Sequence, residues 1–276
     1  MESMDLPSTI IAPPVPPTHT VIFLHGRGGK AHDFAASLTY SRDSHNRTLP
    51  EAFPSFRWVF PQAPMRRCAS LPDTWPQWFD VWNVSDFAER EELQAVGLKE
   101  SVPAIRRLIA KEAALLGGRW DRVVLAGISM GGATSVHTLF NLDIPTVAGG
   151  RLAAFMGFSC RCPFIGKSLV EMRGTLGLDQ VPAHNEVLRN TPMLLEHCID
   201  DPLVLVETGR SLRDTLREFG ANVVWKEYPS GGHWFNSPSG TDDAVEFLNT
   251  YVVGKDSSKD NLVAIPQATP DAMDLS

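Results

Sequence analysis

The stretch Val123-Val124-Leu125-Ala126-Gly127-Ile128-Ser129-Met130-Gly131-Gly132-Ala133-Thr134-Ser135-Val136-His137-Thr138-Leu139-Phe140 sets the architecture. Its first part is a continuous apolar, β-branched run, as expected of a strand covered on both faces. Its last part reads as a helix, and a G-x-S-x-G turn joins the two. A serine on so sharp a turn needs neighbours two positions away with little or no side chain, and Gly127 and Gly131 supply that room. Such a turn lifts the Ser129 hydroxyl above a sheet and leaves the Met130 amide N–H at a helix N-terminus, facing a developing oxyanion. Ser129 is thus the candidate nucleophile and Met130 a candidate backbone donor. The bland alternative is a glycine-rich helix entry with an incidental serine.

Short β-rich runs recur on either side: Thr20–Leu24, Arg57–Phe60, Arg122–Ala126, Leu152–Phe158, Met193–His197 and Asn222–Tyr228. Between them lie amphipathic stretches. Val102, Ile105, Leu108, Ile109 and Leu116 form one apolar stripe, with Ser101 as its expected cap and Pro103 in its first turn. Leu212, Leu216 and Phe219 form another, closed by Gly220. The alternation predicts an α/β fold, a mostly parallel central sheet with helices on both faces.

Residues 1–18 hold Pro13, Pro14, Pro16 and Pro17, which suit neither helix nor paired strand, and predict an extended lead. The domain is expected over residues 19–253, and residues 254–276, small and polar, are expected to be a mobile tail. Lys and Arg number 25 against 32 Asp and Glu, a net charge of −7, so no basic surface for nucleic acid is expected. No apolar run approaches the length of a membrane span, and no secretory signal or lipidation motif is visible. A cytoplasmic protein is expected. Its four cysteines in 276 residues make neither a disulfide scaffold nor a zinc-ligand spacing, and read as small buried hydrophobes.

A serine hydroxyl needs a base to take its proton and a carboxylate to orient that base. In a strand–turn–helix site of this kind the chain order is serine, acid, histidine. Of eight histidines, His19, His25, His32 and His45 precede the serine, His137 lies on the following helix, His184 sits in an irregular stretch and His197 precedes the acidic loop. His233 remains, in Ser230-Gly231-Gly232-His233-Trp234-Phe235, where two glycines let a loop carry an imidazole back over the sheet. The acid belongs to Cys198-Ile199-Asp200-Asp201-Pro202, at a strand's C-terminal end. Asp200 and Asp201 are both candidates, although Pro202 restrains the backbone of Asp201. Phe23-Leu24-His25-Gly26-Arg27-Gly28-Gly29 follows the first long strand; the Arg27 amide, after Gly26, is the second candidate oxyanion donor, with His25 an architectural residue.

Together these segments resemble the acyl-protein thioesterase/carboxylesterase family of α/β-hydrolases over about residues 20–252. The family's L-H-G-x-G matches Leu24-His25-Gly26-Arg27-Gly28, its W-F/Y-D matches Trp78-Phe79-Asp80, and its GFSQGG turn matches GISMGG around Ser129. Its G-x-S strand end matches Gly157-Phe158-Ser159, its D-P acid loop matches Asp201-Pro202 and its histidine loop matches Gly232-His233. The resemblance therefore implies Asp201 as the acid and a triad of Ser129, Asp201 and His233. It departs at Met130, Gly29 and Cys198, where the family usually has glutamine, aspartate and glycine. It implies hydrolysis of a small-molecule or acylated-protein ester or thioester through an acyl-enzyme, with no metal or organic cofactor, by a monomer or weak homodimer.

Trp75, Trp78, Phe79 and Trp82 crowd one segment and read either as an apolar wall of the site or as a cluster pinning a long loop. Trp78, Phe79 and Trp234 are the expected substrate contacts, and Phe158–Phe164 another expected wall. Two other readings stand beside the main one: an esterase or thioesterase of a specialised metabolite pathway, and a non-catalytic ligand-binding scaffold.

Overall fold

A computed structural model describes residues 6–254. Nine strands occur in it: β1 (Ser8–Ile11), β2 (His19–Leu24), β3 (Phe56–Pro61), β4 (Met65–Arg67), β5 (Thr74–Pro76), β6 (Val123–Ile128), β7 (Ala154–Phe158), β8 (Met193–Cys198) and β9 (Val223–Tyr228). Seven make one sheet in the order β1-β3-β2-β6-β7-β8-β9, and β4 pairs with β5 in a separate hairpin. All pairings in the large sheet are parallel except β1 with β3. The six runs expected as strands are all strands, and β2, β6, β7 and β8 are buried at every position, as their unbroken apolar character requires.

The helices are α1 (Ala31–Ser37), α2 (Leu49–Ala52), α3 (Glu92–Leu115), α4 (Met130–Phe140), α5 (Leu169–Leu176), α6 (Glu186–Asn190), α7 (Val206–Glu218) and α8 (Ser239–Leu248). Alternate strand residues feed two cores. Ile22, Leu24 and Leu125 pack with α3 to α7 on one face. Val21, Phe23, Val124 and Ala126 pack with α1, α2 and α8 on the other. The expected α/β-hydrolase architecture, a mostly parallel sheet between two helical layers, is the observed one.

Two expectations are corrected. Residues 1–18 are not wholly outside the sheet: Ser8–Ile11 pairs antiparallel with β3, in the register Ser8↔Pro61 to Ile11↔Trp58. The prolines follow this strand and turn the chain into β2, so the folded unit begins before residue 19, and β1 covers what would otherwise be an open strand edge. Helix α3 starts at Glu92 rather than at Ser101, with Pro103 inside it. Packing on the sheet compensates the carbonyl that Pro103 leaves without a donor. The buried Ser101 hydroxyl donates instead to the Trp78 carbonyl at 2.6 Å. The tail expected beyond Gly254 lies outside the described residues. Among those described, no helix is long and apolar enough to cross a membrane.

Candidate active site

At the end of β6, Ser129 has φ 55° and ψ −123°, a left-handed conformation that costs a non-glycine residue about 1–3 kcal/mol. Its amide donates to the Phe158 carbonyl at 2.9 Å, which ties the turn to β7. The flanking glycines are steric necessities: a Cβ on Gly127 would lie 2.5 Å from the Gly131 carbonyl carbon, and one on Gly131 would lie 2.6 Å from the His25 oxygen. The Met130 amide opens α4, where no helical acceptor precedes it.

The loop after β2 is braced from below. His25 Nδ1–H donates to the Gly26 carbonyl at 2.7 Å, so Nε2 is the acceptor and receives the Ala63 amide at 3.1 Å. Burial pushes the pKa of this histidine down, against the Gly26 bond, so it stays a neutral pin. The Trp78 indole N–H donates to the His25 carbonyl at 2.8 Å. The Arg27 side chain is held in place, with Nε donating to Gln77 Oε1 at 2.9 Å and the guanidinium 4.7 Å from the Trp75 ring centre. Among the described residues, neither the Arg27 nor the Met130 amide N–H has an acceptor.

His233 Nδ1 lies 2.8 Å from Asp201 Oδ2. The other carboxylate oxygen accepts the amides of Leu203 at 2.9 Å and Val204 at 3.0 Å. Burial alone raises this carboxyl's pKa, but the hydrogen bonds from His197, His233, Val204 and Leu203 outweigh it and hold Asp201 well below the usual carboxylate range. His197 Nε2–H donates to the Val204 carbonyl at 2.7 Å and lies 3.4 Å from Asp201 Oδ2, closing the acid loop on itself. Asp200, the other candidate acid, instead accepts the Gly232 amide at 2.8 Å and the Gly231 amide at 3.3 Å.

Ser129, His233, Arg27, Met130, Phe79 and Trp234 all line one cavity of about 690 Å³. Asp201 is buried behind His233. Trp78, the third expected substrate contact, is not on the cavity wall; it is fully buried and supports the His25 loop, because its indole N–H needs an acceptor that the main chain supplies. Trp75 joins the lining, whereas Trp82 hydrogen-bonds Glu89. Of the expected Phe158–Phe164 wall, both phenylalanines pack into the cores and Arg161 faces the cavity. Nothing in the motifs marked Arg161, but a lone charge in the apolar run Phe158-Ser159-Cys160-Arg161-Cys162-Pro163-Phe164, just past a strand's C-terminal end, was a legible signal. All four cysteines are free and buried, and burial pushes the Cys160 thiol up to about 12.

The family model for phospholipase/carboxylesterase matches residues 7–252, from the first strand to the last helical turn. The chain belongs to this family. Within it, the chain is similar to acyl-protein thioesterase 1 of Schizosaccharomyces pombe, 32% identical, with 85% of this chain and 92% of that protein aligned. Acyl-protein thioesterase 1 of Neurospora crassa is 29% identical over 78% of this chain and 80% of its own length. Among solved structures, acyl-protein thioesterase 2 of Zea mays superposes with a TM-score of 0.67 at 23% identity, over 89% of this chain and 99% of that one. At that identity the superposition speaks for the fold of this phospholipase/carboxylesterase family member.

Proposed function

We propose that the chain is a serine hydrolase of carboxylic esters or thioesters, working through an acyl-enzyme on Ser129. The observation that carries this reading is the His233–Asp201 pair at 2.8 Å on a cavity that Ser129 also lines. Family membership supports hydrolase chemistry in general, and the names of the relatives support esters or thioesters as the class cleaved.

In the mechanism, Ser129 Oγ attacks the acyl carbon while His233 Nε2 takes its proton. Asp201, held ionised by its donors, fixes His233 with Nδ1 protonated and stabilises the imidazolium that forms. The Arg27 and Met130 amides, free of protein acceptors, receive the tetrahedral oxyanion. The imidazolium then protonates the departing alcohol or thiol. Water, deprotonated by the same imidazole, attacks the acyl-enzyme and releases the acid. The strained Ser129 turn and the pinned His25 loop hold nucleophile and oxyanion donors in fixed relation before substrate arrives.

A fluorophosphonate probe tests this directly. Labelling of the wild-type chain that disappears in Ser129→Ala is the expected result; labelling that persists in the variant, or none in the wild type, overturns the assignment. Rates on short esters, acyl-CoA-like thioesters, lysophospholipids and a palmitoylated peptide then rank the substrates. A cytosolic setting and a monomer or weak homodimer complete the reading, open to cell fractionation and sedimentation.

A further inference from the structure

Arg161 sits just beyond β7, only 7% exposed, on the wall of the cavity that holds Ser129 and His233. It also lines an adjoining cavity of about 510 Å³. A guanidinium offers five N–H donors. Among the described residues one protein acceptor meets them, Gln94 Oε1 at 2.8 Å from Nη2. Gln94 is itself fixed, since its amide donates to the Phe87 carbonyl at 2.8 Å. The flat face of the guanidinium lies 3.9 Å from the Phe87 ring centre, with Phe79 at 5.9 Å.

Among the described residues no carboxylate pairs with it. Glu91 is the acid that contributes most to its field, but a Glu91 oxygen accepts the Phe164 amide at 2.6 Å and no Glu91–Arg161 ion pair forms. Burial pushes the guanidinium down to about 10, which still leaves it charged at neutral pH. A buried cation without an ion-pair partner costs several kcal/mol, a cost that a bound anion would offset. Around it the wall is apolar, with Phe79, Phe87, Val84 and Leu203 shared or adjacent.

We infer that Arg161 is a specificity residue that binds a carboxylate on the acyl part of the substrate, so that the favoured substrates are esters or thioesters of dicarboxylic acids with one end left free. One guanidinium edge is anchored on Gln94 and one face on Phe87, so a residue lining the cavity keeps N–H groups without a protein acceptor, in the planar fork that a carboxylate matches. Apolar neighbours accommodate the methylene chain between the scissile carbonyl and the distal carboxylate. This inference rests on the serine-hydrolase reading above and narrows it to a substrate class.

The test compares p-nitrophenyl half-esters of a series of dicarboxylic acids with methyl-capped isosteres of equal length. The wild-type chain is expected to favour the half-ester at one chain length by roughly tenfold or more in kcat/KM. Arg161→Met should abolish that ratio, and Arg161→Lys, which keeps the charge and loses the fork, should restore part of it. A wild-type ratio at or below one at every length overturns the inference, as does a ratio that Arg161→Met leaves intact. The wild-type ratio needs no variant, so a misfolded Arg161→Met would not protect the idea. Fluorophosphonate labelling of Ser129 is scored on the same samples: labelling with no carboxylate preference removes the Arg161 assignment alone, whereas no labelling removes the hydrolase reading beneath it.

Discussion

Asp200 and Asp201, adjacent in the chain, hold one loop from two sides: Asp201 Oδ2 lies 2.8 Å from His233 Nδ1, and Asp200 Oδ1 accepts the Gly232 amide at 2.8 Å. The buried carboxylate addresses the imidazole, and its exposed neighbour addresses the backbone that carries it.

The two aspartates should therefore separate in kinetics. Asp201→Asn is expected to lower kcat on a neutral p-nitrophenyl ester by roughly 10⁴-fold, because the imidazole loses the partner that sets its tautomer. Asp200→Ala is expected to cost about tenfold or less, through a looser loop. A larger loss at Asp200 would move the acid by one residue.

Trp78→Phe keeps an aromatic side chain but removes the pyrrole half of the fully buried indole, with the N–H that reaches the His25 carbonyl, so a small cavity adds to the lost hydrogen bond. The stranded, buried carbonyl should cost about 1–3 kcal/mol in urea unfolding. Ester turnover should fall with it, since the same carbonyl belongs to the loop that carries the Arg27 amide. Unchanged stability and turnover would show that the loop holds without the indole.

Glu196, on β8, is buried and neither of its carboxyl oxygens has a hydrogen-bond partner among the described residues. Burial pushes its pKa well above the usual carboxyl value; nearby Asp243 adds to the rise and Lys226 opposes it. Tyr228 also faces this group, with its hydroxyl donating to Asp243 at 2.7 Å. A carboxyl whose folded pKa exceeds its unfolded one, about 4.3, stabilises fully below that value, and its contribution is lost as pH rises toward the folded pKa. Glu196→Gln should consequently gain stability relative to wild type between pH 4 and pH 8 in guanidinium unfolding. A difference that stays constant across that range would mean the carboxyl does not titrate this way.

Removing residues 1–12 deletes β1, unpairs the outer edge of β3 and removes the Pro7 carbonyl that accepts the Gln62 amide at 2.7 Å. A loss of about 1–3 kcal/mol and increased aggregation on heating are expected. Light scattering during a thermal ramp checks both; a truncated chain that melts and stays soluble like the full one would make β1 dispensable.

Much of this arrangement was legible in the sequence because backbone constraint leaves compositional marks. Gly127 and Gly131 announce the turn at Ser129, and unbroken apolar runs announce β6, β7 and β8. Chain order singled out His233, and the family resemblance chose between Asp200 and Asp201. What escaped depended on tertiary packing. Ser8–Ile11 carries too few residues for a pattern, and its pairing partner, β3, is about 50 residues away. The start of α3 was hidden by Pro103, whose local cost is overridden by burial of the helix on the sheet. Trp78 and Phe79, neighbours in sequence, face opposite ways, one into the core beneath His25 and one onto the cavity wall.

The close contact of Gly131 with the loop after β2 has a consequence for substitution. A Cβ on Gly131 would collide with the Leu24 and His25 carbonyl oxygens, so the turn at Ser129 and the loop after β2 meet main chain to main chain. The placement of the Ser129 turn against the His25 loop thereby rests on main chain rather than on the side chains that shape the cavity. On the proposed mechanism, exchanges at Phe79, Arg161 or Trp234 are expected to change substrate preference more than the placement of Ser129 against the His25 loop. A side chain at position 131 would drive into the Leu24 and His25 carbonyls, whereas substitutions on the cavity wall meet no such main-chain barrier.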